Sequence, residues 1–173
     1  MSVKRLTHLD GRGHARVVDV GDKASTKRHA EARATVRTTR AVARAIADRG
    51  IAKGDVAAVA RVAAIQACKR TSDLVPLCHP IALTHVAVTI TVKADRVLVD
   101  VVCECIGPTG VEMEALTGAS IGALAIYDMI KGLDRSATIE TELRAKSGGK
   151  SGKFRRTAAD RPPPTADRHE KAK

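Results

Sequence analysis

Residues 84–93 and 96–106 are two runs rich in β-branched side chains in which apolar and polar positions alternate, the repeat of a strand with one face buried. Only Ala94-Asp95 separates them, which predicts a hairpin. On the second run Val97, Val99, Val101, Cys103 and Cys105 share one face. Residues 14–20, 30–38 and 137–145 read as further strands. The stretch between the first two, Gly21 to Arg28, is polar and led by glycine, the pattern of a mobile loop. Helical spacing takes over at residues 39–49 and stops at Gly50, in the place of a C-terminal glycine cap. Asp55 then caps a second helix reaching about Arg70, whose Val56, Val59, Ala60, Ala63 and Ala67 stripe faces a core. A third helix, residues 111–131, follows Gly107-Pro108-Thr109-Gly110. It is apolar nearly all round through Ala115, Leu116, Ile121, Leu124, Ile126 and Met129, so burial is expected.

The core order of strand, helices, hairpin, helix and strand is the split βαβ order of a ferredoxin-like α+β domain. An antiparallel sheet with helices on one face is expected, with residues 14–20 as an extra N-terminal strand. One domain covers residues 1–156. Residues 157–173 contain Pro162-Pro163-Pro164 and no apolar periodicity, so they cannot offset their ordering entropy and are expected to be a disordered tail.

Composition narrows the function. Of 173 residues only Tyr127 and Phe154 are aromatic, which counts against modules that stack bases on rings. The formal net charge is +11, and residues 150–173 hold eight basic and three acidic side chains. The remaining cationic body suits an anionic substrate as well as nucleic acid, so both stay open. The first residues lack the apolar stretch of a secretory signal. The 13 uncharged residues from Ala115 to Tyr127 fall short of the roughly 20 that span a bilayer. A cytoplasmic protein is expected, with no membrane partner. In a reducing compartment Cys68, Cys78, Cys103 and Cys105, none in a CxxC spacing, should remain thiols.

Four constellations could carry chemistry. On the third helix Glu114 and Asp128 fall about 40° apart around the axis, and Lys131 lies one turn beyond Asp128, so an acid and an ammonium can meet there. Such a pair serves proton transfer as readily as it caps a helix end. The run Lys69-Arg70-Thr71-Ser72-Asp73-Leu74-Val75-Pro76-Leu77-Cys78-His79-Pro80 fixes one histidine between prolines. His79 can act as an acid, a base or a phosphate donor, or simply bond a backbone carbonyl. Cys78-His79 with Cys103 and Cys105 could supply zinc ligands, but the strand alternation already accounts for the latter two as small buried hydrophobes. Lys146-Ser147-Gly148-Gly149-Lys150-Ser151-Gly152 resembles the end of a phosphate-binding P-loop, yet Arg144 stands where its first glycine belongs. It could wrap phosphates or act as a hinge.

Taken in order, Lys53-Gly54-Asp55-Val56, Ala67-Cys68-Lys69-Arg70-Thr71, Leu74-Val75-Pro76-Leu77-Cys78-His79-Pro80, Thr109-Gly110-Val111-Glu112-Met113-Glu114, Ile126-Tyr127-Asp128-Met129 and the glycine loop resemble the cyclic pyranopterin monophosphate synthases, the molybdenum cofactor biosynthesis protein C family. His14, Val18-Asp19-Val20 and Lys23 extend the match. The resemblance implies conversion of 3′,8-cyclo-7,8-dihydroguanosine triphosphate to cyclic pyranopterin monophosphate with release of pyrophosphate. It implies Asp128 as acid/base residue, with Lys131, Lys53 and His79 as catalytic partners. Leu77, Cys78, His79, Met113 and Glu114 are implied substrate contacts, with Glu112, Lys69 and Arg70 beside them; a polyphosphate substrate requires a cationic pocket, to which Lys150 can add. A homohexamer of three dimers follows, with the site at the dimer interface and a radical S-adenosylmethionine GTP cyclase acting upstream. The face Ala115, Gly118, Ala119, Gly122 would allow close helix packing in such an assembly. No cofactor is demanded; magnesium could accompany the pyrophosphate. Pro108 and Gly21 depart from the family pattern.

Overall fold

The computed structural model describes residues 12–160. Strand β1 (Thr26–Arg37) is followed by helices α1 (Arg40–Ala47), α2 (Val56–Lys69) and the single turn α3 (Thr71–Leu74). The hairpin β2 (His85–Lys93) and β3 (Arg96–Gly107) leads into α4 (Glu112–Ile130) and β4 (Thr138–Ser147). A two-residue strand β5 (Phe154–Arg155) and a 3-10 turn (Ala158–Asp160) complete the described chain. The sheet order is β2-β3-β1-β4-β5 with every neighbouring pair antiparallel, the ferredoxin-like arrangement expected. The rest of the expected tail, residues 161–173, lies outside the described residues.

The extra strand is at the other end of the chain from the one expected. Residues 14–20 carry one isolated bridge, at Ala15, and no strand. Their apolar side chains serve a cavity instead of a sheet: Val18 and Val20 line it beside Leu77 and His79, and Val17 is 48% exposed. β1 begins inside the expected loop, because Thr26, Lys27 and Arg28 pair with Gly107, Ile106 and Cys105. The stop of α1 also differs. Arg49, not Gly50, takes the left-handed conformation, at φ 54°. Its N–H donates to Ile46 O and that of Gly50 to Ala45 O, the paired bonds of a Schellman ending.

Aromatic residues contribute nothing to the core, so small and branched side chains must pack closely. Ala30, Ala32, Ala34 and Val36 of β1 and Val97, Val99, Val101, Cys103 and Cys105 of β3 face α2 and α4 and are essentially covered. At Gly118 an added Cβ would lie 2.3 Å from Cys68 Sγ, and at Gly122 3.0 Å from Val99 Cγ1. The small-residue face of α4 is therefore consumed within the protomer, against α2 and the sheet, and is not free for assembly as expected. Its opposite side is open, with Leu124 52% exposed, so α4 is not buried all round.

One polar clip fixes the end of α4. Asp134, 7% exposed, accepts bonds from Thr38 Oγ1 at 2.7 Å, Thr39 N–H at 3.2 Å, Ser136 Oγ at 2.6 Å and Ser136 N–H at 2.9 Å. The Ser136 and Thr38 hydroxyls above all hold its carboxyl down at about 2. The chain leaving α4 is thereby tied to the start of α1.

Candidate active site

Asp128 lies in the last turn of α4, where a helix leaves carbonyls without intrahelical donors. Lys53, in the loop before α2, donates to Asp128 O at 2.8 Å and lies 3.6 Å from its Oδ2. Lys131 bonds Oδ1 at 2.7 Å. The Lys131 hydrogen bond and both ammonium charges lower the Asp128 pKa, while the same contact raises that of Lys131. At neutral pH this is a carboxylate between two ammoniums: the carboxylate can accept a proton and either ammonium can stabilise an anion. All three side chains are about half exposed.

A second group lines a cavity of about 550 Å³ bounded by Val18, Val20, Lys23, Leu77, Cys78, His79, Thr109, Glu112, Met113 and Glu114, among others. His79 Nε2 lies 2.7 Å from Val18 O. The carbonyl-bonded role and the cavity role thus coincide in one ring, since a neutral imidazole donating from Nε2 keeps Nδ1 as an acceptor. Glu112, in the first turn of α4, pairs with Lys146 Nζ at 3.1 Å. Glu114 is 3% exposed, and its Oε2 has no partner. Burial raises its pKa to about 6. The Cys78 thiol is pushed up by burial and by Glu114, which makes it a neutral contact and not a nucleophile.

The raised Glu114 pKa has a measurable sign. The folded state holds this proton more tightly than the unfolded chain, so stability falls as pH rises from about 4.5 to about 6. The gap corresponds to roughly 2 kcal/mol. Glu114→Gln is therefore expected to raise the melting temperature at pH 7 and to leave it nearly unchanged at pH 4. Thermal denaturation followed by circular dichroism at both pH values checks this.

Next to this cavity, and sharing Lys23, Thr109, Gly110 and Glu112 with it, is a larger one of about 750 Å³ that adds Thr26, Arg28, Lys150 and Ser151. Arg28 is 8% exposed and donates to Gly107 O at 3.0 Å and Pro108 O at 3.1 Å. The glycine loop folds over it. Gly148 and Gly149 have φ of 93° and 74°, and a Cβ on either would collide with the Lys27 carbonyl or the Arg28 guanidinium. This explains the glycine pair without a P-loop.

Of the residues read from sequence, the structure joins Asp128, Lys131 and Lys53 in one cluster. It joins Leu77, Cys78, His79, Glu112, Met113 and Glu114 in another, next to Lys150. It does not join the clusters to each other: Glu114 and Asp128 stand 14 residues apart on α4, about 21 Å at 1.5 Å per residue. Lys69 is exposed and lines a separate hollow with Ile65, Ile81 and His85, and Arg70 caps α2 and lines neither site cavity. Cys103 and Cys105 sit in the core, and no group of three or more His, Cys, Asp or Glu among the described residues could hold a metal. Arg28 was missed as a site residue because nothing local marks a buried arginine at a strand start. Lys23 carried only the family match. Another hollow on the open sheet face, lined by Arg33, Arg37, Arg96 and Glu142 among others, has Arg33 paired to Asp100 and Arg96 to Asp95 and holds no motif residue.

Residues 17–149 match the MoaC family, a span that holds both clusters except Lys150 at its edge. The chain is 52% identical over 157 residues to cyclic pyranopterin monophosphate synthase 1 of Mycobacterium bovis, covering 90% of this chain and 92% of that one. The protein of the same name from Mycobacterium tuberculosis matches to the same extent. No helix among the described residues is long and apolar enough to cross a membrane. With the family motifs gathered into two clusters and the match spanning nearly the whole described chain, the protein belongs to the MoaC family and has a role in molybdenum cofactor biosynthesis.

Proposed function

We propose that the chain is a cyclic pyranopterin monophosphate synthase, a phosphorus-oxygen lyase. It converts 3′,8-cyclo-7,8-dihydroguanosine 5′-triphosphate to cyclic pyranopterin monophosphate and pyrophosphate. The observation that carries this reading is the Asp128 carboxylate held between Lys53 and Lys131. Asp128 takes and returns the protons of ring opening and reclosure, and the two ammoniums stabilise the anions that form. Lys23, Arg28 and Lys150 supply positive charge for the triphosphate, whose cyclisation expels pyrophosphate. His79 and Glu114 orient the purine-derived ring. Proton transfer and phosphate cyclisation balance without a redox cofactor. Magnesium, if used, enters on the pyrophosphate oxygens.

The working form is a homohexamer of three dimers, with each site completed across a dimer interface. The separation of about 21 Å on α4 and the half-exposure of Asp128 and Lys131 support this, because a water-poor site needs a cover that one protomer lacks. The enzyme works in the cytoplasm on the product of a radical S-adenosylmethionine GTP cyclase, without membrane or nucleic acid. Refolding Asp128→Asn with His79→Ala in equal amounts tests the shared site. Each variant alone is expected to be inactive, and the mixture to regain about one quarter of wild-type sites, the fraction that combines both intact residues across random dimers. An inactive mixture that sediments as mixed oligomers would show that each site lies within one chain.

A further inference from the structure

Two of the four free cysteines meet in the core. Cys103 Sγ on β3 donates to Cys68 Sγ on α2 at 3.6 Å, and the residues are 0% and 2% exposed. The sulfurs are about 1.5 Å of approach from the roughly 2.05 Å of a disulfide bond. Packing holds Cys68 against its partner, since a Cβ at Gly118 would lie 2.3 Å from its sulfur and α4 fills that side. We propose that Cys68 and Cys103 form a redox-modification site that closes to an intramolecular disulfide under a peroxide, tying the last turn of α2 to β3 beneath α4. That turn opens directly into residues 71–80, which carry His79, so the tie restrains the segment forming one wall of the cavity.

The two thiols are unequal, as the reaction requires. The S–H of Cys103 stabilises a Cys68 thiolate and lowers its pKa, whereas the contact with Cys68 and burial raise that of Cys103. Cys68 thiolate attacks one peroxide oxygen, the O–O bond breaks and hydroxide leaves, making Cys68 a sulfenic acid. Cys103 sulfur then attacks Cys68 sulfur, the S–O bond breaks, and the departing oxygen leaves as water with the Cys103 proton. Two thiols lose two electrons, and the peroxide is reduced to two waters. A partner already in contact captures the sulfenic acid ahead of further oxidation.

The test treats the full chain with hydrogen peroxide, alkylates it with iodoacetamide in guanidinium, and maps tryptic peptides by mass. Peptide 62–69, which carries Cys68, is expected linked to peptide 97–131, which carries Cys103 and Cys105. The linked species weighs two hydrogens less than the sum and separates on reduction with dithiothreitol. Cys78→Ala and Cys105→Ala should keep the link, and Cys103→Ala should lose it. Full alkylation of Cys68 in the peroxide-treated wild type overturns the proposal, as does a link that persists in Cys103→Ala. Should Cys103→Ala fail to fold, Cys105→Ala decides alone, because it leaves Cys103 as the only thiol in peptide 97–131.

Discussion

Asp128→Asn is expected to abolish turnover while the melting temperature and oligomer size stay close to wild type. The substitution keeps the shape of the side chain and removes its ionisable group. An amide cannot accept the proton that the carboxylate takes, and a positioned acid/base group contributes typically 100 to 10,000-fold. The fold should tolerate the change because the side chain is 58% exposed and because Lys53 also bonds the backbone carbonyl of residue 128, which survives. Product formation from the cyclised triphosphate, measured by chromatography alongside circular dichroism, checks both halves. A well-folded Asp128→Asn protein within a few fold of wild-type rate would remove Asp128 from the chemistry.

Lys53→Ala and Lys131→Ala are each expected to cost about 100 to 1000-fold, or roughly 2.7 to 4 kcal/mol, the worth of a fixed donor aimed at developing charge. Lys131→Ala removes one bond to Asp128, and Lys53→Ala additionally uncaps the α4 carbonyl, so the second should also lower the melting temperature. Deleting residues 161–173 removes Arg161, Arg168, Lys171 and Lys173 against Asp167 and Glu170. That is more net positive charge than either lysine variant loses, yet it spares every contact described for the site, so turnover should survive. The same comparison separates catalysis from nucleic acid binding. A charge-driven ligand would respond to the tail more than to Lys131 and would weaken steeply with salt. Similar losses from tail removal and Lys131→Ala would defeat the catalytic reading.

How much was legible beforehand follows from the range of the forces involved. The hairpin of β2 and β3, the N-terminal cap at Asp55 and the extent of α4 rest on neighbours within a few residues, so alternation, helical spacing and a capping side chain declare them in the sequence. The contact of Asp128 with Lys131 is of the same kind, one helical turn apart. The family motifs likewise stand in the chain as local strings, and they named both clusters. What the sequence left undetermined depends on partners far along the chain. Residues 14–20 show strand-like alternation, but only the loop around His79 decides that Val18 and Val20 line a cavity. Arg28 is one basic residue among thirty until Gly107, Pro108 and the glycine loop close over it. Glu114 and Asp128 share one side of α4 by periodicity, yet one is buried with an unpaired oxygen and the other is open to solvent between two lysines. Periodicity gives an angle around the helix axis. What packs at each end of a helix about 28 Å long is set by the tertiary fold, and with it the ionisation of each acid and the division of the candidate residues into two clusters.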